Sequence, residues 1–229
     1  MLEVGPGPGG LTRALLAAGA SRVIAIERDP RCVSALAELA EATQGRLGLI
    51  EADALSVDLA DLTSERLTIV ANLPYNVGTA LLLRWLDRLE RVDSLTLMFQ
   101  REVAERLVAV PRSRSYGRLS VLVQWLCEAR LVMHLPAGAF LPPPKVASSL
   151  VQLVPRPEPL APAARPALER VLAAAFGQRR KMLRSSLKPL DPKVDTLLTR
   201  AGVAGSARAE EIDIEGFCRL ARAFGASAC

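Results

Sequence analysis

The chain has 229 residues, of which 50% are hydrophobic and 23% are charged, and its formal net charge is +5. This balance is typical of a folded globular protein and excludes an intrinsically disordered one. No apolar run reaches the length of a membrane-spanning helix, and the first residues lack the basic and apolar regions of a secretory signal. We therefore expect a cytoplasmic protein.

Short apolar segments alternate with amphipathic ones through the first half of the chain. Strands are predicted over 2–4, 22–27, 47–51, 67–71 and 95–99, with helices over 11–18, 30–42 and 77–89. This alternation predicts an α/β fold, a parallel sheet with helices on both faces. A helix over 118–128 and strands over 129–134 and 147–154 follow, and we expect those two strands to form an antiparallel edge.

A proline-rich segment divides the chain. Four prolines fall within residues 155–162, which predicts a stiff linker. Only helices are predicted beyond it, over 164–176, 180–188, 191–201 and 212–224. We therefore predict a cofactor-binding domain over 1–155, a linker over 156–162 and a small all-helical domain over 163–229.

The charge is distributed unevenly between these parts. Residues 1–155 hold 16 basic and 16 acidic side chains, whereas residues 156–229 hold 13 basic and 8 acidic ones. The whole positive excess therefore lies in the last third, which favours the docking of a polyanionic partner there. A solvated surface with extra arginines is the alternative.

The four cysteines are scattered and form no C-x-x-C pair. This spacing argues against both a disulfide framework and a zinc ribbon. We expect no metal site, and we interpret the cysteines as small apolar residues of the core: Cys32, Cys127, Cys218 and Cys229.

The first chemical motif follows the first strand. Gly5, Gly7 and Gly10 satisfy G-x-G-x-x-G between a predicted strand and a predicted helix, where glycine lets backbone N–H groups approach a ligand closely. Glu27 ends the second strand, where a carboxylate can accept hydrogen bonds from both hydroxyls of a ribose. Together they predict a nucleoside-bearing cofactor, with NAD, FAD and S-adenosylmethionine as alternatives.

Polar residues also follow the third and fourth strands. Asp53 stands where a carboxylate could accept a hydrogen bond from an adenine amino group, although it could instead cap the next turn. In the run Asn72-Leu73-Pro74-Tyr75, the amide oxygen and a main-chain carbonyl can accept hydrogen bonds from an exocyclic amine, and the aromatic ring can stack on a base. An ordinary turn is the alternative for this run.

These motifs together resemble the class I methyltransferases that modify adenine N6. Three further segments resemble the small-subunit ribosomal RNA adenine dimethyltransferases: 116–120 (YGRLS), 140–148 (FLPPPKVAS) and 176–187 (FGQRRKMLRSSL). The R-R-K-x-L-R run favours this family over the related erythromycin-resistance methylases, which act on the large-subunit RNA. The resemblance extends over essentially the whole chain.

The resemblance implies a Rossmann-like methyltransferase sheet with a small helical C-terminal domain. It also implies the activity, the transfer of methyl groups from S-adenosylmethionine to N6 of two neighbouring adenines. These adenines lie in a hairpin near the 3′ end of the small-subunit ribosomal RNA. The expected partner is that RNA or the immature small-subunit particle, with no membrane and no metal, and we expect a monomer.

The resemblance further implies which residues hold the cofactor. Those beside its methionine part would be Glu3, Gly5, Gly7 and Gly9. Glu27 would hold the ribose hydroxyls, and Asp53 would accept a hydrogen bond from the adenine amino group, with the Ala54 backbone nearby.

Residues for the target base are implied in the same way. Asn72, which also stands beside the cofactor, would hold the target amine together with the carbonyl of Leu73 or Pro74. Tyr75 and Phe140 would lie on the two faces of the flipped base.

Basic side chains predict the RNA-docking surface. At helical spacing Arg180, Arg184 and Lys188 share one face of the predicted helix over 180–188. Such contacts position RNA and make its binding salt dependent. The candidates for phosphate contacts are Arg112, Arg114, Arg118, Arg179, Arg180, Lys181, Arg184 and Lys188.

Two other classes of function remain as hypotheses. The family carries an additional segment before the first strand that covers the cofactor, whereas this sequence begins at that strand. A non-catalytic RNA-binding or ribosome-assembly protein derived from the family is therefore an alternative. An NAD(P)-dependent oxidoreductase would account for the glycine motif and Glu27, but not for Asn72–Tyr75 or for the basic C-terminal third.

Overall fold

A computed structural model describes residues 1–140 and 143–226 of the chain. Leu141 and Pro142, which belong to the 140–148 motif, lie outside the described residues, as does Cys229. Seven strands form one sheet: β1 (Leu2–Val4), β2 (Val23–Glu27), β3 (Leu47–Glu51), β4 (Leu67–Asn72), β5 (Val92–Gln100), β6 (Cys127–Leu135) and β7 (Ser148–Pro155).

The order of the strands across the sheet is β3-β2-β1-β4-β5-β7-β6. The first five strands pair in parallel, whereas β7 runs antiparallel to β5. The predicted α/β fold is therefore confirmed. From β1 the chain continues to β2 and β3 on one side of the sheet, and from β4 it continues to β5 on the other side. In parallel sheets a ligand crevice lies at such a change of direction, here beyond the carboxyl ends of β1 and β4.

Helices follow most of the strands. Those before Pro155 are α1 (Gly10–Ala17), α2 (Pro30–Ala42), α3 (Leu59–Leu62), α4 (Gly78–Trp85), α5 (Arg101–Leu107) and α6 (Arg118–Leu126). Helix α2 begins as the sequence predicts, because the Asp29 carboxylate accepts a hydrogen bond from the Arg31 amide and Pro30 occupies the first helical position. Helix α4 ends at Trp85, before the predicted end at Leu89. The amides of Asp87 and Arg88 donate to carbonyls three residues earlier, whereas an α-helix requires carbonyls four residues earlier.

The apolar faces of α1 and α2 meet the edge of the sheet that ends in β3. Leu16 of α1 packs with Val23, Ala25 and Leu47 of the strands, and all four are buried. Leu39 of α2 packs against the same cluster. This core attaches α1 and α2 to β2 and β3, and Glu27 is the last residue of β2.

The described residues after Pro155 are mainly helical, as predicted. They form α7 (Arg165–Gly177), α8 (Leu183–Ser186), α9 (Val194–Ala201) and α10 (Ile214–Gly225). Throughout the described part of the chain, no helix has both the length and the apolar character needed to cross a membrane.

The prediction of one helix over 180–188 is wrong. Only α8, a single helical turn, is found there. The amides of Leu183 and Arg184 donate to the carbonyls of Ala207 and Gly205, and Met182 forms an isolated β-bridge with Arg208. Backbone groups that a longer helix would use internally are therefore bonded to a distant segment. As a result, Arg180, Arg184 and Lys188 do not share a helical face.

The chain divides into two compact units. The first comprises Met1–Ala104 and Arg130–Pro155, and the second comprises Glu105–Ala129 and Arg156–Cys229. The first unit ends at Pro155, and the predicted linker begins at the next residue. The second unit differs from the predicted helical domain because it also contains 105–129, where α6 packs against α7 and α10.

The segment over 156–162 is bound along α6 within the second unit rather than acting as a free spacer. The amides of Arg156 and Leu160 donate to the carbonyls of Leu126 and Trp125 at 2.9 and 2.8 Å. The indole N–H of Trp125 donates in turn to the carbonyl of Ala161 at 2.7 Å. Two of the four amides in this segment are therefore bonded to α6, and its prolines have no amide hydrogen to donate.

Candidate active site

The turn between β1 and α1 is built from glycines in the left-handed region. Gly5, Gly7 and Gly9 have φ angles of +70°, +55° and +85°, which residues with a side chain rarely adopt. The Gly5 amide donates to the carbonyl of Ile26 at 2.9 Å, so the turn is attached to the end of β2. It leads directly into the N-terminus of α1, which favours polar or anionic groups.

Glu27 is held in place by backbone amides. One carboxylate oxygen accepts from Gly7 N at 3.0 Å, and the other accepts from Arg28 N and Asp29 N at 2.7 and 2.9 Å. A carboxylate offers about four acceptor positions, so about one, on the oxygen that accepts from Gly7, remains for a ligand hydroxyl. The glycine turn and the predicted ribose-binding residue are thus joined by a direct hydrogen bond.

A cavity of about 140 Å³ lies beside this turn. It brings together four of the residues predicted to hold the cofactor, Gly5, Glu27, Asp53 and Ala54, whereas Glu3, Gly7, Gly9 and Asn72 are not on its wall. The wall also contains residues that the sequence analysis missed: Val4, Ile26, Arg28, Ala52, Asn76, Val77 and Leu81. Carboxylates with apolar neighbours suit the polar edges and flat faces of a nucleoside.

The two carboxylate oxygens of Asp53 have different partners. Oδ1 accepts from the Leu55 amide at 2.9 Å and so caps the short 3-10 turn over Ala54–Ser56. Oδ2 lies 3.7 Å from a guanidinium nitrogen of Arg28, in an exposed ion pair. Because this ion pair is long and exposed, Oδ2 is accessible to a hydrogen-bond donor in the cavity. Arg28 would compete with such a donor for Oδ2.

Glu3 is buried between β1 and α1, with 1% of its surface exposed. Burial raises the pKa of its carboxyl above the ordinary value, an effect that the Thr12 hydroxyl opposes. Among the described residues, none hydrogen-bonds to Oε2 of Glu3. An orphaned buried oxygen beside the glycine turn is a feature that a bound polar ligand or a water would satisfy.

A second cavity, of about 250 Å³, is lined by all five residues predicted for the target base. They are joined by one residue that the sequence analysis missed, Pro144. The residues are Asn72, Leu73, Pro74, Tyr75, Phe140 and Pro144. This second cavity is therefore formed by the end of β4, the turn that follows it and the connection between β6 and β7.

The two candidate carbonyls near Asn72 differ in availability. The carbonyl of Pro74 accepts from Val77 N at 3.1 Å and from Gly78 N at 3.0 Å, at the start of α4. Among the described hydrogen bonds, none ends on the carbonyl of Leu73. The structure thus favours Leu73 over Pro74 as the main-chain acceptor beside Asn72.

Pro74 lines both cavities. A nucleoside cofactor in the first cavity and a flat base in the second would therefore meet at this residue, next to the exposed side chain of Asn72. Such an arrangement can transfer a group from one ligand to the other. No group of three or more histidine, cysteine or acidic side chains among the described residues could hold a metal ion.

The predicted RNA-binding residues all lie in the second unit, where Glu210 connects two basic segments. The carbonyl of Glu210 accepts from Arg112 N at 2.7 Å, and its carboxylate accepts from Arg179 Nε at 2.6 Å. Arg179 also donates to the carbonyl of Ser113 at 3.2 Å. The loop that begins at Arg112 and the turn after α7 are therefore held side by side, and Arg179 has a structural role there.

The remaining candidates are exposed. Arg184 forms an ion pair with Asp195 at 3.2 Å. Within the described residues, no ion pair is found for Arg112, Arg114, Arg118, Arg180, Lys181 and Lys188. Arg208, which the sequence analysis missed, is exposed and bridges Met182 through its backbone. The β-bridge places Arg208 beside the basic segment 179–188. The residues next to Arg208 in sequence give no indication of this position.

Comparison with known proteins identifies close relatives. A model of the ribosomal RNA adenine dimethylase family matches residues 1–225. The chain is 60% identical over 226 residues to "Ribosomal RNA small subunit methyltransferase A" of Paramagnetospirillum magneticum, covering 99% of this chain and 80% of that protein. It is 58% identical over 231 residues to the protein of the same name from Paracoccus denitrificans, with 99% and 82% covered.

Solved structures agree with these relatives. A dimethyladenosine transferase from Plasmodium falciparum superposes with a TM-score of 0.83 at 25% identity, covering 99% of this chain and 90% of that one. The 23S rRNA methyltransferase ErmE gives a TM-score of 0.72 at 29% identity, with 98% and 90% covered. The methyltransferase sheet, the paired cavities and the match along residues 1–225 therefore agree: this chain belongs to the ribosomal RNA adenine dimethylase family.

Proposed function

We propose that the chain transfers methyl groups from S-adenosylmethionine to N6 of two neighbouring adenines in a 3′-end hairpin of small-subunit ribosomal RNA. The observation that carries this proposal is the pair of cavities that share Pro74, one bearing carboxylates for a nucleoside and one bearing an amide and aromatic rings for a base. Such an enzyme would act during maturation of the small subunit, in the cytoplasm where ribosomes assemble.

The cofactor-binding role is assigned by chemical fit. Glu27 at the end of β2 would accept the ribose hydroxyls, and Oδ2 of Asp53 would accept from the adenine amino group beside Ala54. Gly5 lets the backbone approach the ligand without a side chain in the way. S-adenosylmethionine supplies a methyl group that is already activated by its attachment to a sulfonium centre.

The residues of the second cavity would prepare the target amine. The N6 lone pair of adenine is delocalised into the ring, so the amine is a weak nucleophile. Hydrogen bonds accepted by Asn72 Oδ1 and the Leu73 carbonyl favour a pyramidal nitrogen, which frees that lone pair. Alignment contributes most of the catalysis, and the methylated amine is acidic enough to release its proton to water.

The aromatic side chains would hold the base. Tyr75 and Phe140 line the same cavity, and aromatic rings hold bases that have left a stack. A second methylation requires the same cavity to accept a monomethyl amine. That amine keeps one N–H, so one of the two acceptors beside it would lose its partner in the second step.

The first experiment for this proposal separates cofactor classes. We expect S-adenosylhomocysteine to raise the unfolding midpoint of the purified chain, and NAD to leave it unchanged. Labelled S-adenosylmethionine should then label under-methylated small subunits and not large subunits. Stabilisation by NAD alone would favour an oxidoreductase. Salt-sensitive RNA binding without label on any substrate would favour a non-catalytic assembly protein.

A cofactor-site prediction follows from the environment of Asp53. Asp53→Ala removes both the cap on Leu55 and the acceptor at Oδ2. We therefore expect it to weaken S-adenosylhomocysteine binding by about tenfold, the value of one hydrogen bond to a charged group. Isothermal titration at fixed salt measures this. Asp58→Ala removes a similar cap at α3 away from the cavity, and it should leave the affinity unchanged.

A second prediction concerns the exposed cations of the second unit. Arg180→Ala and Lys181→Ala should each weaken RNA binding and lower the slope of log affinity against log salt by about one. Their side chains are exposed and have no ion-pair partner among the described residues. Binding titrations over a salt series check this, and an unchanged slope in both variants would remove these residues from the RNA-binding surface.

Arg179→Ala is the matched contrast for these variants. Its guanidinium binds Glu210 and the Ser113 carbonyl, so its loss should lower the unfolding midpoint as well as RNA affinity. We expect the stability change in Arg179→Ala and not in Arg180→Ala, and thermal unfolding of the two variants measures it.

A further inference from the structure

We infer that Ser148 is a positioning residue for the base-binding cavity: its hydroxyl fixes the ring of Tyr75 at the cavity wall and so sets how the target base stacks. This inference rests on the proposed function for its kinetic consequence. The positioning itself is a property of the protein alone and can be measured without any substrate.

The contact is a hydrogen bond between side chains that are distant in sequence. The hydroxyl oxygens of Tyr75 and Ser148 lie 2.7 Å apart, a normal distance for an O–H···O bond. Ser148 is fully buried at the start of β7, whereas 40% of the surface of Tyr75 is exposed. The ring therefore presents a free surface to the cavity, while its polar tip is attached to the interior.

Hydrogen bonding to the Tyr75 side chain comes from Ser148 alone within the described part of the chain. Tyr75 follows Pro74 in the turn between β4 and α4. The Pro74 carbonyl next to it is used by the first turn of α4. Without this bond, an exposed aromatic side chain on a turn would sample several rotamers. Stacking of a base would then restrict the ring to one rotamer, and the lost side-chain entropy would weaken base binding.

Ser148 can act as an anchor because its own backbone is fixed. It pairs with Gln100 in the antiparallel ladder between β5 and β7. Just before it, the carbonyl of Ala147 accepts from Arg101 N at 2.9 Å. A buried serine in a paired strand has few conformations, so its hydroxyl offers the phenol a single position.

The hydrogen bond also relates the two aromatic residues of the cavity. Phe140 lies in the connection between β6 and β7, and Ser148 is the residue at which that connection ends. Tyr75 comes from the other side, between β4 and α4. Ser148 therefore ties the turn that carries Tyr75 to the first residue of β7, the strand that follows the connection containing Phe140.

The next residue provides a matched control. Ser149 is also fully buried, and its hydroxyl lies 2.8 Å from Nδ1 of His134. Because side chains alternate along a strand, Ser148 and Ser149 point to opposite faces of β7. Ser149→Ala therefore removes a buried hydroxyl and its hydrogen bond without touching Tyr75.

The direct test uses fluorine NMR of the 3-fluorotyrosine-labelled protein. The chain has two tyrosines, so Tyr75→Phe assigns both signals. We expect Ser148→Ala to move the Tyr75 signal towards that of free fluorotyrosine and to narrow it, while the Tyr116 signal stays in place. Ser149→Ala should leave both signals unchanged. An unaltered Tyr75 signal in folded Ser148→Ala would overturn the inference.

The kinetic test is a double-mutant cycle on methyl transfer. We expect Ser148→Ala and Tyr75→Phe each to lower kcat/KM by about three- to tenfold, because each removes the same hydrogen bond. The double variant should be no worse than either single one. Effects that multiply, or an equal loss in Ser149→Ala, would contradict the inference.

The two tests separate this inference from the proposed function. Absence of methyl transfer by the unaltered chain would count against the proposed function, and the fluorine signals would still decide whether Ser148 positions Tyr75. Normal transfer with unchanged fluorine signals in Ser148→Ala would leave the proposed function standing and reject the role of Ser148.

Discussion

Replacing Asn72 with alanine is expected to lower the rate of methyl transfer by at least about 100-fold, the scale on which one preorganised polar group contributes to a reaction. The side chain is exposed at the end of β4 and lines the cavity for the target base. It does not line the cavity that contains Glu27 and Asp53. Affinity for S-adenosylhomocysteine and for RNA should therefore stay within about twofold. Single-turnover transfer with labelled cofactor measures the loss.

Asn72→Asp is the informative companion. It keeps an oxygen acceptor of similar size, so it should retain more activity than Asn72→Ala. A folded Asn72→Ala protein that transfers methyl groups within about threefold of the unaltered rate would remove Asn72 from the mechanism. Loss of transfer with intact RNA binding would also exclude a purely RNA-binding role for the unaltered chain, since that role needs no such residue.

Gly9→Ala is expected to be among the most destabilising single substitutions in the first unit. Gly9 has a φ of +85°, and an added Cβ would lie 2.3 Å from Cδ2 of Leu36 and 2.8 Å from the Arg13 guanidinium. Leu36 is fully buried in α2, so moving its side chain would disturb the packing around it. Strain and overpacking together should cost about 2–5 kcal/mol, which corresponds to a fall of about 5–15 °C in the unfolding midpoint.

Gly7→Ala is the control for this substitution. Gly7 also has a positive φ, +55°, but apart from its two chain neighbours no atom of the described residues lies within 4 Å of the position that a Cβ would occupy. It should therefore cost only the conformational term of about 1–2 kcal/mol. Calorimetry of both variants checks the difference. Equal midpoints would show that the contact between the glycine turn and α2 does not constrain this site.

The parts of the fold that were predicted correctly are those encoded locally. Helix α2 begins after Asp29 and Pro30 as the capping pattern requires, and β3 is found over the predicted residues. The glycine turn and Asn72–Tyr75 each follow a strand. Because strands of a parallel sheet end at one edge, their position in sequence suffices to predict that they approach each other.

The parts that were not predicted depend on contacts between distant segments. Helix α8 is one turn long because its amides bond to residues 205–207, which no local pattern indicates. Arg179 has the same charge as Arg180, yet a distant carboxylate, Glu210, gives it a structural role. The choice of Leu73 over Pro74 as an acceptor likewise depends on where α4 begins. These bonds join residues that are far apart in sequence, so they cannot be predicted from residue types and local spacing.

The most direct measurement of the central claim is the identity of the modified nucleoside. The purified chain is incubated with S-adenosylmethionine and under-methylated small ribosomal subunits, the RNA is digested, and the nucleosides are identified by mass. From the family and the proposed function we expect N6,N6-dimethyladenosine in RNA treated with the unaltered chain, and none in RNA treated with Asn72→Ala. RNA that binds the chain and gains no methylated adenosine would contradict the claim that these cavities form a working methyltransferase site.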